Sequence, residues 1–118
     1  MRVGPLKLKA QLFCGDEPAM GPGKADLLEA IAMHGSISAA GRALGMSYRR
    51  AWLLVDSMNR CFAAPLVSAQ SSGTARGAQL TPEGRAVLAQ YRALEARLAE
   101  AAAPELEALA ARLRAAPL

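Results

Sequence analysis

The chain has 118 residues, a length that suits one domain with a single core. Hydrophobic residues make up 53% but aromatics only 4%, and much of the apolar content is alanine, which favours helices with small-residue contacts over a β-sandwich. The net charge is +4. It is carried by residues 36–80, where Arg42, Arg49, Arg50, Arg60 and Arg76 face one acid, Asp56, while the remaining basic and acidic residues balance. A concentrated excess of arginine suits a polyanionic partner, since it neutralises phosphates and releases counterions.

No apolar run reaches transmembrane length, so no membrane role is expected. The opening MRVGPLKLKAQLF alternates instead of forming a signal-peptide core, which points to the cytoplasm. Cys14 and Cys61 form no CxxC pair and suggest no disulfide framework, and reduced thiols are expected.

In chain order, Leu6, Leu8, Ala10 and Leu12 alternate with Lys7, Lys9 and Gln11, the period-2 pattern of a strand with one wet face. Gly15-Asp16-Glu17-Pro18 reads as a turn, and Ala19-Met20 as a short return strand. The adjoining GPGKAD lacks the GxxxxGK[ST] spacing of a phosphate loop, which argues against nucleotide binding. A helix is expected from about Lys24 to His34, with Leu27, Leu28, Ile31 and Ala32 facing inward. His34 has no Cys or carboxylate at ligand spacing, so it reads as a helix-end residue, not a metal ligand.

Residues 36–60 read as two short helices around a tight turn. Ser36 or Ser38 caps the first, and Ala39, Ala40, Ala43 and Leu44 give it a small apolar face. Gly45 supplies a left-handed turn, Met46 plugs it, and Ser47 caps the second helix. On that helix Ala51, Leu54, Val55 and Met58 recur at helical spacing, leaving Tyr48, Arg49, Leu53, Asp56 and Ser57 largely outside. The pattern is that of a helix-turn-helix that reads DNA.

Leu66–Gln70 and Ala78–Leu80 then form two strands around a loose tip, a wing with Arg76 placed to reach a DNA backbone or minor groove. Trp52 reads as a packing residue that bridges the second helix and this wing. Thr81 caps the last helix, with Pro82 at its first position. Along it Val87, Tyr91, Leu94, Leu98 and Ala101 step by 4, 3, 4 and 3, a short heptad seam that predicts pairing with a second copy. Pro104 is expected to interrupt this helix, with Leu106, Leu109 and Leu113 in a separate helix folding back or in a bent continuation.

The expected architecture is mainly α with a small β component. A winged helix-turn-helix occupies residues 1–103, with an N-terminal strand or hairpin, the helix-turn-helix at 36–60, the wing at 66–80 and a long dimerising helix at 82–103. A C-terminal helical extension occupies 104–118.

The stretches GSISAAGRALGMSYRRAW, VDSMN and LTPEGR resemble the N-terminal DNA-binding domain of the ModE family of molybdate-responsive regulators, over about Leu6 to Leu98. The helix-turn-helix alone is also similar to that of LysR-type regulators. The resemblance implies a homodimer on a palindromic double-stranded DNA operator, with Ser47, Tyr48, Arg49, Arg50 and Leu53 at recognition-helix positions. Arg49 and Arg50 suit either bidentate contact with guanine O6 and N7 or a phosphate.

The family's molybdate sensor is C-terminal, and only about 15 residues follow Pro104, so oxyanion sensing is not expected and no cofactor is implied. An enzyme is not expected either: there is one His, no GxSxG and no cluster of carboxylates at catalytic positions. The other reading is a winged-helix interaction module that has lost specific DNA binding, whose signature would be missing basic residues on the second helix; Arg49 and Arg50 argue against it.

Overall fold

A computed structural model describes residues 1–72 and 75–118, with the side chains of residues 70–76 outside the description. Two small antiparallel hairpins come first. In one, β1 (Arg2–Val3) pairs with β2 (Leu6–Lys7); in the other, β3 (Leu12–Cys14) pairs with β4 (Glu17–Met20). The single alternating strand expected over residues 6–12 is therefore divided. Gly4 and Gly15 turn the chain at φ 56° and 60°, and the register shifts between Leu12 and Phe13, so the alternation is shared between two ribbons.

Helix α1 (Pro22–His34) begins two residues earlier than expected, because Pro22 has the fixed φ that a first helical residue needs. It buries Ala25, Leu27, Leu28, Ala30 and Ile31, whereas Ala32, expected inside, is exposed. Helices α2 (Ile37–Ala43) and α3 (Tyr48–Cys61) come next and pack on α1. The antiparallel hairpin of β5 (Val67–Ser72) and β6 (Ala75–Leu80) pairs Val67 with Leu80 and is longer than the two short strands expected. It is tied to α1 through Ala78 N–H, which donates to Gly35 O at 2.8 Å.

Helix α4 (Pro82–Ala110) is one continuous element with Pro104 inside it, so of the two expected arrangements the chain continues and no separate helix folds back. Proline removes the bond to the carbonyl four residues back, but the Ala-, Glu- and Leu-rich turns on both sides sustain the helix. Its first turn is fixed to the wing. Thr81 Oγ1 accepts from Gly84 N at 2.9 Å, Thr81 O–H donates to Pro65 O at 2.6 Å, and Thr81 N–H donates to Leu66 O at 3.0 Å.

The core lies where α1, α2, α3 and the start of α4 converge, around Met20, Leu27, Leu28, Ile31, Val55, Met58 and Leu66. Tyr91 belongs to it, only 2% exposed, with its hydroxyl donating to Ala10 O at 2.7 Å. Val87 packs partly buried against the same core. Both residues were expected on the seam for a second copy; Tyr91 is instead buried inside the fold, whereas Val87 is half-buried like Leu94. The reason is that α1 and β6 pack on this end of α4 and Ala10 O takes the Tyr91 hydroxyl, so the first turns of the heptad are largely satisfied within the chain. Leu94 is half-buried, Leu98 is 38% exposed, and no residue of 96–118 is buried.

One ionic cluster locks α4 to α1. Arg92 donates to Glu29 at 2.6 Å, to Asp26 at 2.8 Å and to Glu95 at 2.8 Å. Partial burial works against the Arg92 charge, but the three carboxylates more than offset it and hold the guanidinium protonated. Glu95, itself buried, keeps its charge compensated this way.

Candidate nucleic-acid interface

The helix-turn-helix is built by two serine caps and one glycine turn. Ser36 Oγ accepts from Ala39 N at 3.0 Å, so Ser36 and not Ser38 is the cap of α2; Ser38 Oγ instead accepts from Arg42 Nη1 at 2.8 Å. The chain leaves α2 through Gly45 at φ 70°, and Met46 N–H returns to Gly41 O at 2.9 Å. Ser47 Oγ then accepts from Arg50 N at 3.1 Å and starts α3.

The inner face of α2 is Ile37, Ala40 and Gly41, with Ala39 half-buried and both Ala43 and Leu44 exposed. The expected alanine face is thus rotated towards the helix start. Gly41 explains the shift: a Cβ there would lie 3.2 Å from Ala51 Cβ, so the two helices cross at this point and glycine allows the close approach.

On α3, Ala51, Val55 and Met58 are buried and seat the helix on the core. Asn59 fixes its far end. Asn59 Oδ1 accepts from Leu66 N at 2.8 Å and from Val67 N at 3.1 Å, and Asn59 Nδ2 donates to Val67 O at 3.1 Å. One side chain therefore sets the start of the wing relative to the second helix.

The opposite face of α3 is open. Tyr48, Arg49, Arg50 and Leu53 are exposed, as is the cap Ser47. Tyr48, Arg49, Trp52, Leu53 and Asp56 line an open depression of about 490 Å³. Trp52 is 45% exposed and lies here, not between helix and wing as expected. Its spacing of four from Tyr48 puts both rings on the outer face, a signal the sequence contained. Asp56 and Ser57, expected outside, are half-buried because β4 packs beside this part of α3.

Charge on this face is unevenly compensated. Arg60 Nε contacts Asp56 at 2.9 Å and Arg60 Nη2 contacts Glu17 at 3.2 Å, so it is matched within the chain. Among the described residues, Arg42, Arg49 and Arg50 are exposed with no carboxylate at ion-pair distance. Arg49 and Arg50 also occupy the first turn of α3, which contains no acid. Cations there add to the positive end of the helix dipole instead of opposing it, which costs stability and favours a bound anion. Arg42, in the last turn of α2, is likewise exposed without a carboxylate partner and was not among the expected contacts. The Arg76 side chain lies outside the described residues; its backbone belongs to β6, opposite Ser71.

Comparison with known proteins agrees with this geometry. The profile of the family described as bacterial regulatory helix-turn-helix protein, lysR family, matches residues 24–85. The chain is 49% identical over 82 residues to the molybdenum-pterin-binding protein MopB of Rhodobacter capsulatus, an alignment covering 69% of this chain and 30% of that protein. It is 34% identical over 87 residues to the DNA-binding transcriptional dual regulator ModE of Escherichia coli K12, covering 73% of this chain and 31% of that one. The chain thus spans under a third of the length of either relative. In fold it is similar to the solved CbnR DNA-binding domain–DNA complex, with a TM-score of 0.56 and 24% identity, covering 75% of this chain and 95% of that chain. With the capped α2–α3 pair, the paired wing and α4 all in place, the chain belongs to the lysR family of bacterial regulatory helix-turn-helix proteins, with ModE-like relatives.

Proposed function

We propose that this chain acts as a sequence-specific, DNA-binding transcriptional regulator, with α3 entering the major groove of double-stranded DNA. The observation that carries the reading is the uncompensated Arg49–Arg50 pair at the exposed start of a helix that is otherwise rigidly seated. Arg49 and Arg50 supply bidentate or phosphate contacts, and Ser47 and Tyr48 approach the backbone. Leu53 faces the apolar groove edge, where thymine methyl groups lie. Arg76 on the wing is assigned a backbone contact, and Arg42 on α2 joins it from the structure.

A homodimer on a palindromic operator completes the proposal. Its interface is on α4, through Val87, Leu94 and Leu98, while Tyr91 is used within the fold. A two-fold pair of α3 helices then meets two half-sites one helical turn apart.

The interaction-module reading has one observation in its favour, the apolar part of the α3 depression formed by Tyr48, Trp52 and Leu53. Selection of bound duplexes from a random library separates the two. Enrichment of a palindromic motif supports the regulator, whereas recovery of no motif together with intact folding supports the module.

A further inference from the structure

Cys14 is the last residue of β3 and sits directly opposite Glu17 of β4. Side chains of such a cross-strand pair project to the same face of the ribbon. Glu17 crosses from that face to the end of α3, where its Oε2 accepts from Ser57 Oγ at 2.6 Å and from Cys61 Sγ at 3.4 Å. Two cysteines far apart in sequence thus flank one carboxylate, Cys14 as its cross-strand neighbour and Cys61 as its hydrogen-bond donor. Cys14 is exposed, while Cys61 is half-buried. Neither thiol takes part in the proposed DNA-binding face.

We propose that Cys14 and Cys61 form a redox-active pair that a hydroperoxide closes into a disulfide joining the β3–β4 hairpin to the end of α3. Exposed Cys14 is the attacking sulfur. Its thiolate takes one peroxide oxygen, the O–O bond breaks, and the other oxygen leaves as hydroxide, which takes up the proton released by the thiol to become water, with Cys14 becoming a sulfenic acid. Cys61 sulfur then attacks Cys14 sulfur, the S–O bond breaks, and a second water leaves with the Cys61 proton. The two thiols lose two electrons, which reduce one peroxide to two waters.

The order of events is set by the surroundings. Partial burial and the hydrogen-bonded Glu17 carboxylate push the Cys61 thiol up, so it stays protonated until the sulfenic acid forms beside it. Glu17, held ionised by Ser57, Cys61 and Arg60, accepts from the Cys61 thiol and orients it, and the proton itself goes to the departing water. Lys24 Nζ donates to Ser57 Oγ at 2.9 Å and keeps a cation next to the cluster.

The test needs only the purified chain and hydrogen peroxide, and its outcome is independent of whether the chain binds DNA. After oxidation and thiol alkylation, peptide mass spectrometry should show a Cys14–Cys61 linked peptide, lighter by two hydrogens, in a chain not cross-linked to another. In Cys61→Ser, Cys14 should accumulate as a sulfenic acid trapped by dimedone; in Cys14→Ser, Cys61 should remain alkylatable. The proposal is overturned by Cys14 advancing to sulfinic acid with Cys61 free in the native sequence, by cross-linking between chains, or by no reaction of either thiol.

Discussion

Replacing Gly84 by alanine reverses the usual effect of that substitution in a helix. Alanine inside a helix normally gains about 0.5–1 kcal/mol over glycine. At Gly84 the added Cβ would lie 2.0 Å from Leu66 O and 2.9 Å from Leu66 C. Relief requires the start of α4 to retreat by about 1 Å, since carbon–oxygen contacts close in only to roughly 3 Å. Neither side can yield freely. Leu66 O accepts from Thr81 N, Leu66 N is held by Asn59, and Thr81 caps Gly84. Overpacking costs roughly 1–3 kcal/mol or more, and loss of the cap adds about 1 kcal/mol. Set against the alanine gain, the net destabilisation is about 3 kcal/mol, a fall in thermal midpoint of roughly 10 °C. Gly23 is the matched control, because nothing lies within 4 Å of its Cβ position on α1. Gly23→Ala should raise the midpoint by a few degrees. Circular dichroism melts of the two variants decide the matter; a Gly84→Ala midpoint equal to or above wild type would refute the close approach.

Asn59→Ala should destabilise by about 2–3 kcal/mol, because it strips the Leu66 and Val67 amides and the Val67 carbonyl of their partner; a urea titration within about 0.5 kcal/mol of wild type contradicts that clamp. For the interface on α4, light scattering at micromolar concentration should give a dimer mass, and Leu98→Asp a monomer that still melts cooperatively, since Leu98 is 38% exposed and lies outside the core; a monomeric wild type removes the seam. Glu17 is held below its ordinary 4.5 by hydrogen bonds from Ser57 and Cys61 and by Arg60. A carboxylate depressed in the folded state stabilises fully above the unfolded value and loses that contribution as pH falls through the folded one. The melt of Glu17→Gln should therefore depend less on pH below about 4.5 than that of wild type, and parallel acid profiles would count against the cluster.

Most of the helix-turn-helix was legible because its signals are local. Caps at Ser47 and Thr81, the Gly45 turn and the apolar spacing of α3 depend on residues within one or two turns of each other. What escaped depends on neighbours distant in sequence. The heptad steps of α4 do not show that Tyr91 reaches Ala10, 81 residues away, and so they suggested a seam where the fold supplies a core. Arg60 counts towards the basic excess in the sequence, yet it pairs with Glu17, 43 residues earlier. Gly84 looks like an ordinary helix residue, and only its approach to Leu66 shows why no larger residue fits. Trp52 was misplaced for a different reason: its apolar character outweighed its phase, although the spacing from Tyr48 put it outside.

The central claim is that the open face of α3 reads duplex DNA through Arg49 and Arg50. Fluorescence anisotropy with a duplex selected from the random library, against a scrambled duplex of equal length, tests it most directly when run at several salt concentrations. The account predicts tighter binding to the selected duplex, a linear loss of log affinity with log salt, and a loss of about 1–3 kcal/mol of that preference in Arg49→Ala and in Arg50→Ala where they contact bases. Equal affinity for both duplexes in wild type, or full preference retained in both folded arginine variants, would contradict it.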